Sequence, residues 1–179
     1  MIESRYWKSD LLKHAKDLQP KKNPARMTEK MIYEFEKRLI ISFFIVRKML
    51  ESDKISNNIK RYRAKIYEYK SKRMINKLNV HSIEKNYDLY NEITISRDIK
   101  FISNQFIHSS TIWSSRISKR NRNWSDIYLC SDYEKTKALY RIPIEEIIKI
   151  FNLVGNDYPT HTIQSRWNEK TNDYEIEQE

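Results

Sequence analysis

Glu68-Tyr69-Lys70 sets a carboxylate and an ammonium two positions apart, and Asp53 stands fifteen residues earlier. If this stretch is a strand, alternate residues share a face and Glu68 and Lys70 project together. Carboxylates are the oxygen ligands that a hard divalent cation takes. The same region offers a second chemistry, the binding of a polyanion. Lys60, Arg61, Arg63, Lys65, Tyr67, Tyr69, Lys72 and Arg73 interleave cations with rings, and Arg116, Lys119, Arg120 and Arg122 run into Trp124. Cations that converge on one track hold phosphates, and rings beside them stack on bases.

The set Asp53, Glu68 and Lys70 resembles the Asp…Glu-x-Lys pattern of restriction-type metal-dependent nucleases. The resemblance implies magnesium held by the acids and a water placed by the lysine. The proline expected before such a site and the surrounding βαβ order are missing, and a lysine-rich chain contains Glu-x-Lys by chance. A solvated strand face is the competing reading of these residues.

Charge favours binding. The chain carries +10 with a pI near 9.5, which concentrates anions around it and makes nucleic acid the leading partner class. Between Lys54 and Lys77 there are nine cations against the single anion Glu68, a net +8, so most of the excess is local. Heavy use of Ile, Lys, Asn and Tyr beside one Gly also fits an AT-rich coding sequence, a mutational source of lysine that weakens the inference from charge.

Several chemistries are excluded. One glycine is too few for a P-loop, a dinucleotide fingerprint or the elbow of a serine hydrolase. Cys130 and the scattered His14, His81, His108 and His161 lack zinc-site spacing, so neither cofactor nor metal is expected. His108 reads as a hydrogen-bonded core residue on a helical face with Phe101, Gln105 and Ile112. Asp126 and Asp132, which flank Cys130, are acids that His108 could meet in space. Cys130 itself reads as a small core residue.

The elements that must position these groups follow from periodicity. Trp7, Leu11, Leu12, Ala15 and Leu18 mark a first helix, ended by Pro20. Thr28 is a plausible N-cap for the next helix, which is apolar nearly all round through LIISFFIV and is expected in the middle of the core. That run is too short for a membrane span. RYRAKIYEYK alternates, with Arg61, Arg63, Lys65, Tyr67 and Tyr69 on one side of a strand and Tyr62, Ala64 and Ile66 on the other. Tyr87 to Ser96 is a weaker strand, and Asp98 to about Ile117 a second core helix. SKRNRN is a loop, and DIYLC with KALYRI a hairpin. Pro143 opens a helix that ends at Gly155 in the left-handed conformation. THTIQSRW and DYEIE form a last hairpin.

The expectation is one α+β domain over residues 1–179, an N-terminal helical pair packed on a mainly antiparallel sheet with two further helices. Its single cysteine and lack of an apolar leader point to the cytoplasm. The expected function is a non-enzymatic accessory protein, of bacterial or phage look, that grips nucleic acid, DNA or RNA, by its phosphate backbone. The alternatives are a subunit of a mobile-element, phage or defence-related assembly that docks on an acidic protein partner, and the magnesium nuclease.

Overall fold

Thr28 caps the long helix as its side chain allows: the hydroxyl accepts the Met31 amide at 3.2 Å. The structure is a computed structural model and describes residues 3–20, 24, 26–52, 54–118, 123–159 and 162–178. Helix α1 (Ser4–Leu18) and helix α2 (Glu29–Glu51) are followed by the short α3 (Asn57–Arg61), strand β1 (Arg63–Lys70) and the short α4 (Ile83–Asn86). Strand β2 (Ile93–Asp98) runs directly into α5 (Ile99–Ile107), whose first turn is capped by Asp98 accepting the Phe101 amide at 2.7 Å. Then come β3 (Ser109–Arg116), β4 (Trp124–Ser131), β5 (Ala138–Pro143), α6 (Ile144–Asn156), and the hairpin β6 (Thr162–Asn168) and β7 (Asp173–Gln178).

The five strands form one antiparallel sheet in the order β2-β1-β5-β4-β3, and β6-β7 pair apart from it. This is the α+β architecture that the periodicity pointed to. Helices α1, α2, α5 and α6 pack on one face of the large sheet, while the short α4 lies over the other. Phe43 of α2 stacks on Phe106 of α5 with centroids 4.0 Å apart and meets Phe151 of α6 at 5.1 Å, joining three helices by buried rings of the kind that contribute roughly 1.5–3 kcal/mol each. The N-terminal pair reaches the sheet chiefly through α5 and α6. It touches the sheet directly where Phe35 stacks on Trp124, centroids 4.2 Å apart.

Lys8 was given no role by its sequence neighbours, yet it is 1% exposed. Its ammonium donates to the carbonyls of Lys54 (2.6 Å) and Asp157 and lies 4.4 Å from the Tyr158 ring centroid, latching α1 to the ends of α2 and α6. Desolvation holds its pKa below the ordinary lysine value.

Six expectations need correction. The second core helix stops at Ile107, because Ser109 and Ser110 disfavour a helix interior and β4 is there to pair with the segment. His108 is therefore an exposed C-cap and not a core histidine. The segment from Tyr87 is extended only in a single bridge to Ser71 before β2 begins at Ile93. Arg61 ends α3 and does not belong to the strand. Helix α2 is not enclosed, since Ile41 and Phe44 are each 43% exposed on its outer side. Gly155 is helical, not left-handed. Its reason is a close crossing, for a Cβ there would come within 2.7 Å of Leu12 on α1. Among the described residues no helix is long and apolar enough to cross a membrane.

Candidate nucleic-acid interface

The sheet face away from the helices is partly roofed. After β1 the chain folds back, and Ile75, Val80, Ile83 and Tyr87 close over Tyr69, Cys130 and Leu139. Lys72 and Arg73 serve this roof: the Lys72 ammonium donates to the Glu84 carbonyl at 3.1 Å, and the Arg73 guanidinium to the Asn86 side chain at 2.8 Å. Tyr69, expected on an open strand face, is only 6% exposed beneath it.

Beyond the roof the face is open, and strand register builds a row across it. Trp113 of β3 is the partner of Tyr128 on β4, Tyr128 of Arg141 on β5, Arg141 of Tyr67 on β1, and Tyr67 of Thr94 on β2. Register partners share a face, so two rings, a guanidinium and a third ring stand side by side. Trp113 is 58% exposed, and Tyr67 and Tyr128 are half-buried. Lys65 and Arg63 extend the same face along β1, both exposed. The Lys65 ammonium lies 5.7 Å from the Tyr67 centroid, and Arg63 donates to the Ser96 carbonyl at 2.9 Å.

Arg141 anchors the row. Its guanidinium donates twice to Glu92 at 2.9 Å and once to Asp126 at 2.6 Å. Tyr69 donates its hydroxyl to Glu92 as well, and Ser125 donates to Asp126. Burial pushes the Tyr69 and Tyr128 phenols up from their ordinary pKa, and for Tyr69 the bond to Glu92 adds to it. The single positive charge of Arg141 is more than offset by its two carboxylates. Held in this way the guanidinium is a fixed planar group, its side chain 19% exposed and its carbon 3.8 Å from the Tyr67 ring centroid.

The described residues of the second basic segment, Arg116 and Trp124, do not join this face. Arg116 and Trp124 are partners on the helical side: the guanidinium lies 5.4 Å from the Trp124 centroid and donates to the Pro24 carbonyl at 3.1 Å. Trp124 is spent on its stack with Phe35, so it supports α2 and offers no free ring. Lys119, Arg120 and Arg122 lie outside the described residues. Lys60 and Arg61 sit on α3, and the +8 block is thus divided among α3, the open face, the roof and the helical side.

Glu68 and Lys70 share a face as alternation required, but it is the helical face. Glu68 is 5% exposed and not solvated, with Lys70 at 2.5 Å and Arg97 at 3.8 Å occupying its carboxylate. Asp53 is outside the described residues, and among those described no three His, Cys, Asp or Glu side chains group as metal ligands. Cys130 is buried, 3.3 Å from the Tyr87 hydroxyl, and packs as a core residue. Neither Asp126 nor Asp132 pairs with the His108 ring: Asp126 holds Arg141, and Asp132 holds Lys135 at 2.5 Å.

Trp113, Tyr128, Arg141 and Glu92 are not singled out by the sequence reading, and Asp126 enters it only as an acid that His108 could meet. Tyr128 and Arg141 were legible in principle, because the expected hairpin of DIYLC and KALYRI sets them across from one another. Trp113 was hidden by the helical period carried too far. In comparisons with protein-family models, curated proteins and solved structures, the chain matches none.

Proposed function

We propose that this protein is a non-enzymatic nucleic-acid-binding accessory protein whose contact surface is the open face of the five-stranded sheet. The observation that carries the reading is the row Trp113, Tyr128, Arg141 and Tyr67, flanked by Lys65 and Arg63 on one exposed surface. Rings beside cations suit a polymer of planar bases joined by phosphates, and the overall +10 charge draws such a polymer in. On this reading the protein works in the cytoplasm, in keeping with its one reduced, buried thiol. Reversing Arg63 and Lys65 together to Glu tests it, by fluorescence anisotropy with labelled single-stranded and duplex probes. A loss of about tenfold or more is expected from two reversed phosphate contacts; unchanged affinity for both probes overturns the reading.

A second reading rests on the outer side of α2, where Tyr33, Ile41 and Phe44 are exposed and Lys30, Lys37 and Lys48 lie on the same side of the helix. An apolar stripe edged by cations suits an acidic protein partner within a larger assembly. Lys37→Glu with Lys48→Glu separates the two: binding of an acidic polyglutamate peptide that this pair abolishes, beside an absence of nucleic-acid binding by the native chain, favours the protein partner at α2, whereas nucleic-acid binding that the pair leaves unchanged favours the sheet face.

A further inference from the structure

We infer that the ligand of the open sheet face is a single-stranded polynucleotide, bound across the strands with its bases laid on Trp113, Tyr128 and the Arg141–Tyr67 pair. The inference rests on the reading above and narrows it. Three observations carry it.

The first is the row itself. A paired base hides its faces in the duplex stack, and only an unpaired strand can offer them to protein rings. Neighbouring strands lie about 4.8 Å apart, so Trp113 and Tyr67, three strands apart, are separated by roughly 14 Å, room for about two or three bases side by side.

The second is the state of Arg141. Glu92 and Asp126 engage the edges of its guanidinium, which leaves it poorly able to take a phosphate. A planar cation with satisfied edges still stacks on a base. The clamp thus fits Arg141 to a base better than to a backbone.

The third is where the cations are. On this face Lys65 and Arg63 lie to one side of the row along β1, and Asp126 and Glu92 border it. A duplex contact needs a broad cationic track, whereas Lys72, Arg73, Lys70 and Arg116 are engaged on the roof or the helical side. Two or three phosphates can be met at the Lys65 and Arg63 side, enough to orient one strand. Nothing in the row distinguishes one base from another, so stacking without sequence preference is expected.

The test measures wild-type affinity for labelled oligonucleotides of about 12 nucleotides as single-stranded DNA, as single-stranded RNA and as duplex DNA of the same sequence. Either single strand should bind about tenfold or more tighter than the duplex, with a slope of log affinity on log salt of roughly −1.5 to −2. Trp113→Ala should weaken single-strand binding about tenfold, and Trp113→Phe should restore most of it. Duplex binding as tight as single-strand binding, with a slope of roughly −4 or steeper, overturns the inference and leaves the sheet-face reading standing. Single-strand binding that Trp113→Ala leaves unchanged also overturns it, and binding to none of the three probes overturns both.

Discussion

The guanidinium carbon of Arg141 lies 3.8 Å from the centre of the Tyr67 ring, its register partner on the neighbouring strand. The contact joins β5 to β1 at the middle of the sheet, and Glu92 and Asp126 fix it from either side. Removing the cation leaves two carboxylates facing a half-buried space, with Asp126 only 8% exposed. Arg141→Ala is therefore expected to destabilise the fold by roughly 2–3 kcal/mol, a partly screened version of breaking a buried pair. The check is a urea midpoint that falls at unchanged m-value. An unchanged midpoint would show that the clamp adds nothing to stability.

Gly155 offers a prediction of sign. In an exposed helix Gly→Ala gains about 1 kcal/mol. Here the added methyl meets Leu12 at 2.7 Å and the Lys8 carbonyl at 3.2 Å, and overpacking of this kind costs about 1–3 kcal/mol. Gly155→Ala should lower stability, and in a Leu12→Ala background the same change should be neutral or stabilising. A gain in the native background would contradict the close crossing of α1 and α6.

Acid should loosen the helical layer through His14. Its Nδ1 lies 2.7 Å from the Ser42 hydroxyl, which itself donates to the Arg38 carbonyl at 2.7 Å. Burial, then the charge of Arg38, hold the His14 pKa below its ordinary value, against a smaller opposing pull from Asp10 and Asp17. The unfolded chain then binds the proton more readily than the folded one, so the contribution is complete above about pH 6.5 and is lost as pH falls toward the folded-state pKa. Melting temperatures at about pH 7.5 and about pH 5 should differ more for the native chain than for His14→Gln. Equal differences would remove His14 as the cause.

The sequence carried most of the architecture and less of the surface. Alternation in RYRAKIYEYK placed Ala64 and Ile66 inward and Arg63, Lys65 and Tyr67 outward, as observed. It could not tell that the chain after Lys70 returns to bury Tyr69, since a roof is a tertiary event without a local signature. Helical spacing from Ile99 to Phe106 was real, but Ile112 and Trp113 fell on the same period by accident. Pairing with β4 decided against it, and so turned an expected core residue into the most exposed ring of the row. The grouping of cations failed for a related reason. Proximity in the chain from Lys54 to Lys77 spans a helix, a strand and a turn back, and these send neighbouring residues to different sides of the sheet.

The four tryptophans allow the central claim to be tested within one spectrum. Trp7 and Trp124 belong to the helical side, Trp167 to the separate hairpin, and Trp113 alone to the open face. With uniformly 15N-labelled protein titrated by a single-stranded oligothymidylate of about 12 nucleotides, the indole resonance of Trp113 should move in proportion to saturation while those of Trp7 and Trp124 stay in place. Saturable binding that leaves Trp113 unmoved, or that shifts the Trp7 or Trp124 signal instead, would contradict the open sheet face as the contact surface.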